Sequence, residues 1–248
     1  MSKSKQDIVV SLKGGLIVSC QAEPEKGSML CEPRDIAGMA KESLDFGACA
    51  VRICGYENII ETRVLNPDGI IIGITKSTYS DGRVLITSDM GSIDQIVDSG
   101  ADVVAMDMTK RTRPSGITSL ELYLLAKEKY PGKVFMADCS DLSEGALAIN
   151  QGVDIVGTTL SGYTPYTEDR LRRDKWYEYE PDFDLLKKLT KRFSDRPIIA
   201  EGRYRNPEQC YKAIHEYGAF AVCIGSQATR IREVVRWHVK AVKEKGFT

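Results

Sequence analysis

The sequence predicts a single closed (β/α)8 barrel of the TIM type, one α/β domain spanning residues 1–248, and two observations carry that reading. One phrase recurs four times, a glycine and a small residue leading into a β-rich run: Gly47-Ala48-Cys49-Ala50-Val51, Gly100-Ala101-Asp102-Val103-Val104, Gly152-Val153-Asp154-Ile155-Val156 and Gly218-Ala219-Phe220-Ala221-Val222. Each glycine closes a helix-like stretch, where a left-handed cap suits it, and a strand starts at once. Between these phrases lie further apolar runs entered through proline or glycine. Their near-continuous apolar character is that of parallel strands covered on both faces.

In chain order the first strand is Leu16–Cys20, followed by a helix over Asp35–Asp45 and the strand after Gly47. Pro67-Asp68-Gly69 introduces the third, Ile70–Ile74, and Gly100 the fourth. A helix over Thr118–Tyr130 ends at Pro131-Gly132, which opens the fifth strand, Val134–Ala137. Ser143–Asn150 is helical and leads through Gly152 to the sixth. Phe183–Phe193 is helical, Pro197 opens the seventh strand, Ile198–Ala200, and Pro207–Tyr217 leads through Gly218 to the eighth. A last helix is predicted over Thr229–Glu244. Eight β-then-α units in about 250 residues fit a closed barrel. The alternative, an open doubly wound sheet, lacks its G-x-G-x-x-G after the first strand. One connection is long: from 160 to 182 the chain reads Ser161-Gly162-Tyr163-Thr164-Pro165-Tyr166 and then a charged, aromatic run through Arg173, Trp176 and Tyr179, either a functional lid or a solvated insertion.

Composition narrows the function. Lys and Arg number 34 against 35 Asp and Glu, a formal charge of −1, so the basic excess that drives nucleic-acid binding is absent. No apolar run reaches the roughly 18 residues of a membrane span. Asp7 and Lys13 bracket too short an apolar stretch for a signal peptide, and a soluble cytoplasmic protein is expected. The seven cysteines include no C-x-x-C pair and read as small core residues. His215 and His238 stand alone, so no metal site is expected.

In a (β/α)8 barrel the chemistry sits at the C-terminal ends of the strands. Those ends carry Gln21, Arg52, Lys76, Asp107, Asp138, Thr158 with Thr159, Glu201, and Gly225 with Ser226. Lys76 follows directly on Ile70–Thr75, where desolvation would lower an amine's pKa and make it a base or nucleophile. Ile198-Ile199-Ala200-Glu201 delivers a carboxylate from a strand roughly opposite. A buried ion bridge between the two is the bland alternative. Glu201-Gly202-Arg203 and Ile224-Gly225-Ser226, with Arg230 beyond, suggest glycine turns presenting backbone N–H groups at helix N-termini, a phosphate arrangement; simple tight turns are the alternative.

At these residues the sequence resembles the N-acetylmannosamine-6-phosphate 2-epimerases. The resemblance runs from Gly15 to about Arg230 and rests on six motifs in order: Leu16-Ile17-Val18-Ser19-Cys20-Gln21-Ala22, Ile71-Ile72-Gly73-Ile74-Thr75-Lys76, Asp107-Met108-Thr109-Lys110-Arg111-Thr112-Arg113-Pro114, Met136-Ala137-Asp138, Ser161 to Tyr166, and Ala200-Glu201-Gly202-Arg203. It implies a cofactor-free interconversion of N-acetylmannosamine 6-phosphate and N-acetylglucosamine 6-phosphate through C2 deprotonation. Carried onto this chain, Lys76 and Glu201 would be catalytic. Gln21, Arg52, Asp138 and Thr159 would contact the sugar, and Gly202, Arg203, Gly225, Ser226 and Arg230 would lie near the phosphate. The assembly considered is a homodimer. Two other classes remain open on the residues alone: a Schiff-base aldolase using Lys76, and a non-catalytic phosphosugar sensor.

Overall fold

The computed structural model describes residues 3–22, 27–171 and 180–243. Eight parallel strands close into a barrel: β1 (Leu16–Cys20), β2 (Ala50–Cys54), β3 (Ile71–Ile74), β6 (Val103–Asp107), β7 (Val134–Asp138), β8 (Ile155–Gly157), β9 (Ile198–Glu201) and β10 (Ala221–Ile224), with β10 returning to pair with β1. Two further strands, β4 (Lys76–Thr78) and β5 (Val84–Ile86), form an antiparallel hairpin inserted after β3. Register brings Ser19 level with Arg52, Asp107 with Asp138, and Cys223 with Glu201, so the strand ends meet at one height.

Side chains of a strand alternate between its faces. Ile17, Ala50, Ile72, Ala105, Met136, Ile155, Ile199 and Ala221 fill the barrel interior. Their neighbours Val18, Val51, Ile71, Val104, Phe135, Val156, Ile198 and Val222 pack outward against the helices. Continuing the inward parity past the last apolar residue yields Gln21, Arg52, Lys76, Asp107, Asp138, Thr159, Glu201 and Gly225. One alternation therefore generates both the core and the mouth above it.

The helices follow as expected, with shifts of a residue or two: α2 (Pro33–Asp45), α5 (Ser119–Lys129), α6 (Leu142–Asn150) and α7 (Phe183–Arg192). Thr118 with Glu121 and Asp141 with Glu144 form capping boxes at α5 and α6. The predicted helix 207–217 is α8 (Pro207–Tyr211) continued by a wide π turn over Lys212–Glu216. The predicted helix 229–244 is two pieces, the single turn α9 (Ser226–Thr229) and α10 (Ile231–Lys243), and Glu244 lies outside the described residues. Of the 160–182 connection, Leu160 to Leu171 runs through turns to a 3-10 turn at Glu168–Leu171. The charged run with Arg173, Trp176 and Tyr179 lies outside the described residues. Among the described residues no helix is long and apolar enough to cross a membrane.

Three further helices lie outside the sequence reading: α1 (Lys5–Ser11), α3 (Tyr56–Leu65) and α4 (Met90–Asp98). Seven residues are fewer than two full turns, and α3 spreads its apolar residues around its circumference. The first has a clear task. Ile8 and the fully buried Leu12 pack under Ile17, Ile70, Val103, Val134 and Ile155 and close the barrel floor. Replacing Leu12 by Ala should cost about 2–5 kcal/mol of stability. Urea unfolding measures this, and a loss below about 1 kcal/mol would show the floor to be dispensable.

Candidate active site

Arg52 stands at the centre of the mouth, with its side chain 1% exposed. Its Nη2 donates to Asp138 Oδ2 at 2.6 Å, and its Nη1 donates to Asp138 Oδ1 at 3.0 Å and to Glu201 Oε2 at 3.1 Å. Strands β2, β7 and β9 thus converge on one guanidinium. Burial alone would weaken its hold on its proton; Asp138 and Glu201 more than reverse that. Thr159, two residues beyond β8, places Oγ1 2.7 Å from Asp138 Oδ1 and 3.2 Å from Glu201 Oε2. Gly157 is what makes room. A Cβ there would come within 2.8 Å of Thr159 Oγ1 and 2.5 Å of Met136 Cε.

Burial pushes the Glu201 carboxyl above the ordinary glutamate value, against the pull of Arg52; Asp138 pushes it further up, and the Lys76 charge draws it down. Lys76 therefore acts on Glu201 electrostatically, and both line the same cavity of about 620 Å3. The setting of Lys76 differs from the one its sequence suggests. The barrel strand stops at Ile74, and Lys76 begins the hairpin, paired with Ile86 and exposed at the mouth. Ile70, Ile71, Ile72 and Ile74 are buried in the barrel below it. The hairpin is held at its base, where Thr87 N donates to Thr75 O at 3.0 Å and Thr75 N donates to Thr87 Oγ1 at 3.2 Å. Thr87 adopts φ 47°, a left-handed conformation costly for a β-branched residue.

Another side of the cavity lies at the ends of β9 and β10. Gly202 (φ 106°) and Arg203 (φ 66°) are both left-handed and turn the chain sharply away from Glu201. Gly202 is not at a helix N-terminus, since α8 starts only at Pro207. Gly225 does precede a helix, the single turn α9, and Thr229 Oγ1 ties that turn to Ser19 O at 2.9 Å. Ser226 Oγ accepts from Arg230 Nη1 at 3.4 Å. Arg203 is partly committed elsewhere: Nε donates to Glu180 O at 2.8 Å and Nη1 to Ser161 O at 2.7 Å, clamping the connection after β8. Gly202, Arg203, Gly225, Ser226 and Arg230 nevertheless line one cavity with Lys76 and Glu201.

Gln21 is 7% exposed; its Nε2 donates to Ser19 Oγ at 2.6 Å, and its Oε1 is buried with no hydrogen-bond partner. An unpaired buried amide oxygen on a cavity wall is a binding group awaiting a donor. Asp107 reaches the same height but is spent within the protein: Oδ1 accepts from Thr109 Oγ1 at 2.6 Å and Oδ2 from Arg111 Nη2. Three lining arginines carry no strand-end signal. Arg111 donates to Val84 O at 3.1 Å and so braces the hairpin bearing Lys76. Arg83 belongs to that hairpin and donates to Thr112 O at 2.7 Å. Arg205 lies over the Trp237 ring at 4.4 Å.

The molecule is a closed parallel (β/α)8 barrel whose C-terminal mouth gathers Lys76, Glu201 and several arginines around one cavity. The NanE family model, described as "Putative N-acetylmannosamine-6-phosphate epimerase", matches residues 36–244. A relative from Caldanaerobacter subterraneus subsp. tengcongensis, named "Putative N-acetylmannosamine-6-phosphate 2-epimerase", is 41% identical over 247 residues, 98% of each chain. A relative of the same name from Escherichia coli O157:H7 is 38% identical over 96% of each. The solved N-acetylmannosamine-6-phosphate 2-epimerase from Clostridium perfringens superposes with a TM-score of 0.84 at 33% identity, covering 97% of this chain and 98% of that one. The chain belongs to the NanE family of N-acetylmannosamine-6-phosphate epimerases.

The raised Glu201 carboxyl makes stability depend on pH. Unfolded, the group ionises near its ordinary 4.5; folded, it does so at higher pH. Between those values the folded chain holds more protons, so this stabilisation is complete below about 4.5 and is lost as pH climbs through the folded value. The unfolding free energy of wild type minus that of Glu201→Gln should therefore fall as pH rises from 4.5 toward neutrality. Denaturant titrations at several pH values test this, and a constant or rising difference would contradict it.

Proposed function

We propose that the chain interconverts N-acetylmannosamine 6-phosphate and N-acetylglucosamine 6-phosphate by removing and returning the proton at C2. The observation that carries this reading is the opposition of Lys76 and Glu201. Strand β3, which leads to Lys76, lies diametrically across the ring from β9, which carries Glu201. A sugar in the cavity between them meets an amine on one side and a carboxyl on the other, the arrangement that inversion of a stereocentre requires.

Opening the sugar ring exposes a C1 carbonyl, which acidifies the adjacent C2–H. Lys76 is the acid–base group at C2. Glu201 assists ring opening and moves protons on the facing side. Both hydrogens on Arg52 Nη1 and one on Nη2 are bonded to Asp138 and Glu201, so Arg52 favours the developing enolate chiefly as a fixed charge beneath it. Gln21 Oε1 is the acceptor for a substrate N–H or hydroxyl. Asp138 and Thr159 act behind Glu201. The phosphate is assigned to Gly202, Arg203, Gly225, Ser226 and Arg230, the region after the seventh and eighth strands where barrels commonly hold phosphate.

Lys76→Met should lower turnover by about 10²-fold or more, as loss of an acid–base group does. Product formed in D2O should carry deuterium at C2. Quantitative retention of the original hydrogen would replace deprotonation with another route, and near-wild-type turnover in Lys76→Met would remove Lys76 from the step.

The phosphate assignment is tested with the unphosphorylated sugar. N-acetylmannosamine should lose about 2–5 kcal/mol of transition-state stabilisation, the range for deleting a well-placed charged contact. Comparable kcat/KM for the two sugars would remove phosphate recognition from this region.

A further inference from the structure

Arg52 Nη1 and Thr159 Oγ1 occupy equivalent places between the same two oxygens. Nη1 is 3.0 Å from Asp138 Oδ1 and 3.1 Å from Glu201 Oε2. Oγ1 is 2.7 Å from the first and 3.2 Å from the second. The four atoms form a closed ring of alternating bridging groups and carboxylate oxygens. Their hydrogens do not balance in the same way. Nη1 carries two and serves both oxygens, whereas a hydroxyl carries one and can donate to only one of them. With both carboxylates ionised, one Oγ1 contact would set lone pair against lone pair in a site where Asp138 is fully buried.

We infer that the ring holds one further proton, resting on Glu201 Oε2, and that Thr159 relays it between Glu201 and Asp138. In the resting arrangement Glu201 Oε2–H donates to Thr159 Oγ1, and Thr159 donates to Asp138 Oδ1 at the shorter of its two distances. Every contact then has one hydrogen. Glu201 is the resting carrier because Asp138 takes bonds from both Nη atoms of Arg52 and Glu201 from one.

The relay step balances. Glu201 gives its proton to Thr159 Oγ1 while the hydroxyl's own proton passes to Asp138 Oδ1, so acid–hydroxyl–carboxylate becomes carboxylate–hydroxyl–acid. Total charge is unchanged, and Arg52 Nη1 remains bonded to both oxygens. The groups facing Glu201 are Arg52 from β2, Asp138 from β7, Cys223 from β10 and Lys76 from the hairpin. Burial holds the Cys223 thiol protonated, so it supplies neither charge nor proton. Burial also raises the Glu201 carboxyl, in the direction a resting proton requires. Thr159 is thus a positioning residue that acts through Glu201, letting it present an acid or a base to the cavity at constant charge. Its use in turnover rests on the proposed epimerisation; the stored proton does not.

Infrared difference spectra of the full chain without substrate, wild type against Glu201→Gln at neutral pH, test the stored proton directly. A carboxylic-acid C=O band that shifts in D2O and is missing from the variant is expected; its absence from wild type would overturn the inference. For the relay, Thr159→Val should lower kcat by about 10²-fold with KM little changed, while Thr159→Ser, which keeps the hydroxyl, restores the rate. A Val variant at wild-type kcat, or a Ser variant as slow as Val, would overturn it. A wild-type chain inactive on either sugar phosphate would sink the epimerase reading, with the infrared band still deciding the proton. The band also decides it if Thr159→Val fails to fold.

Discussion

The guanidinium of Arg52 is a permanent cation placed inside a barrel, and desolvating such a charge costs several kcal/mol unless its partners are well arranged. Here they are: Asp138 grips it with both oxygens and Glu201 with one, from strands β7 and β9, while Arg52 itself comes from β2. A buried pair of this kind contributes little net stability compared with apolar packing, yet losing either partner leaves a charge stranded, at about 3–5 kcal/mol. Its consequence is geometric. Carboxylates from two strands are fixed relative to each other to within a hydrogen bond, and Thr159 is drawn into the gap between them.

Space around that cluster is as constrained as charge. Gly157 lies on the inward face of β8, where any side chain would collide with Met136 and with the Thr159 hydroxyl. The connection after β8 is secured below by Glu144, whose Oε2 accepts from Ser140 N and Oγ at 2.7 and 2.8 Å and whose Oε1 accepts from Lys110 N at 2.9 Å and Tyr166 Oη at 2.5 Å. Thr164 and Thr167 are buried with it, their hydroxyls 2.6 Å apart. From this segment Leu160, Tyr163 and Pro165 line the cavity, while the Thr164 and Thr167 hydroxyls are bonded to each other and to Ser140 behind that wall. Arg203 clamps it to the end of β9, so the left-handed turn at Gly202-Arg203 joins that wall to the strand carrying Glu201.

Much of this was legible in the sequence because the apolar runs end on the residues of the mouth, to which the structure adds the parity. The apolar alternation that makes Ile17, Ala50, Met136 and Ile199 core residues also sends Gln21, Arg52, Asp138 and Glu201 into the mouth. What parity does not reveal is where hydrogens go. The Thr159 hydroxyl lies between two carboxylates, and two of the Arg203 guanidinium nitrogens donate to backbone carbonyls. Such pairings depend on residues from distant strands and have no local pattern. The β4–β5 hairpin was hidden for a different reason. Ile70 to Thr75 reads as one uninterrupted strand, and the break after Ile74 is set by Thr87, twelve residues on from Thr75, whose left-handed backbone pins the hairpin base.

The two facing groups consequently hold their protons on different terms. Lys76 is exposed on a hairpin, where an amine's hydrogens exchange with water. Glu201 lies in the mouth's buried charge cluster, where the hydrogen bonds it makes are to Arg52 and Thr159, and its proton affinity is set by neighbours rather than by solvent. Environments that push two titratable groups apart are the usual means by which one site presents an acid and a base together. On the proposed reading, the C2 proton is therefore handled by a reservoir open to water on one side of the sugar and by an internal one on the other. Arg52 sets the geometry of the internal reservoir rather than its proton: its charge draws the Glu201 carboxyl down, while its hydrogen bonds hold the two carboxylates at the spacing that Thr159 bridges.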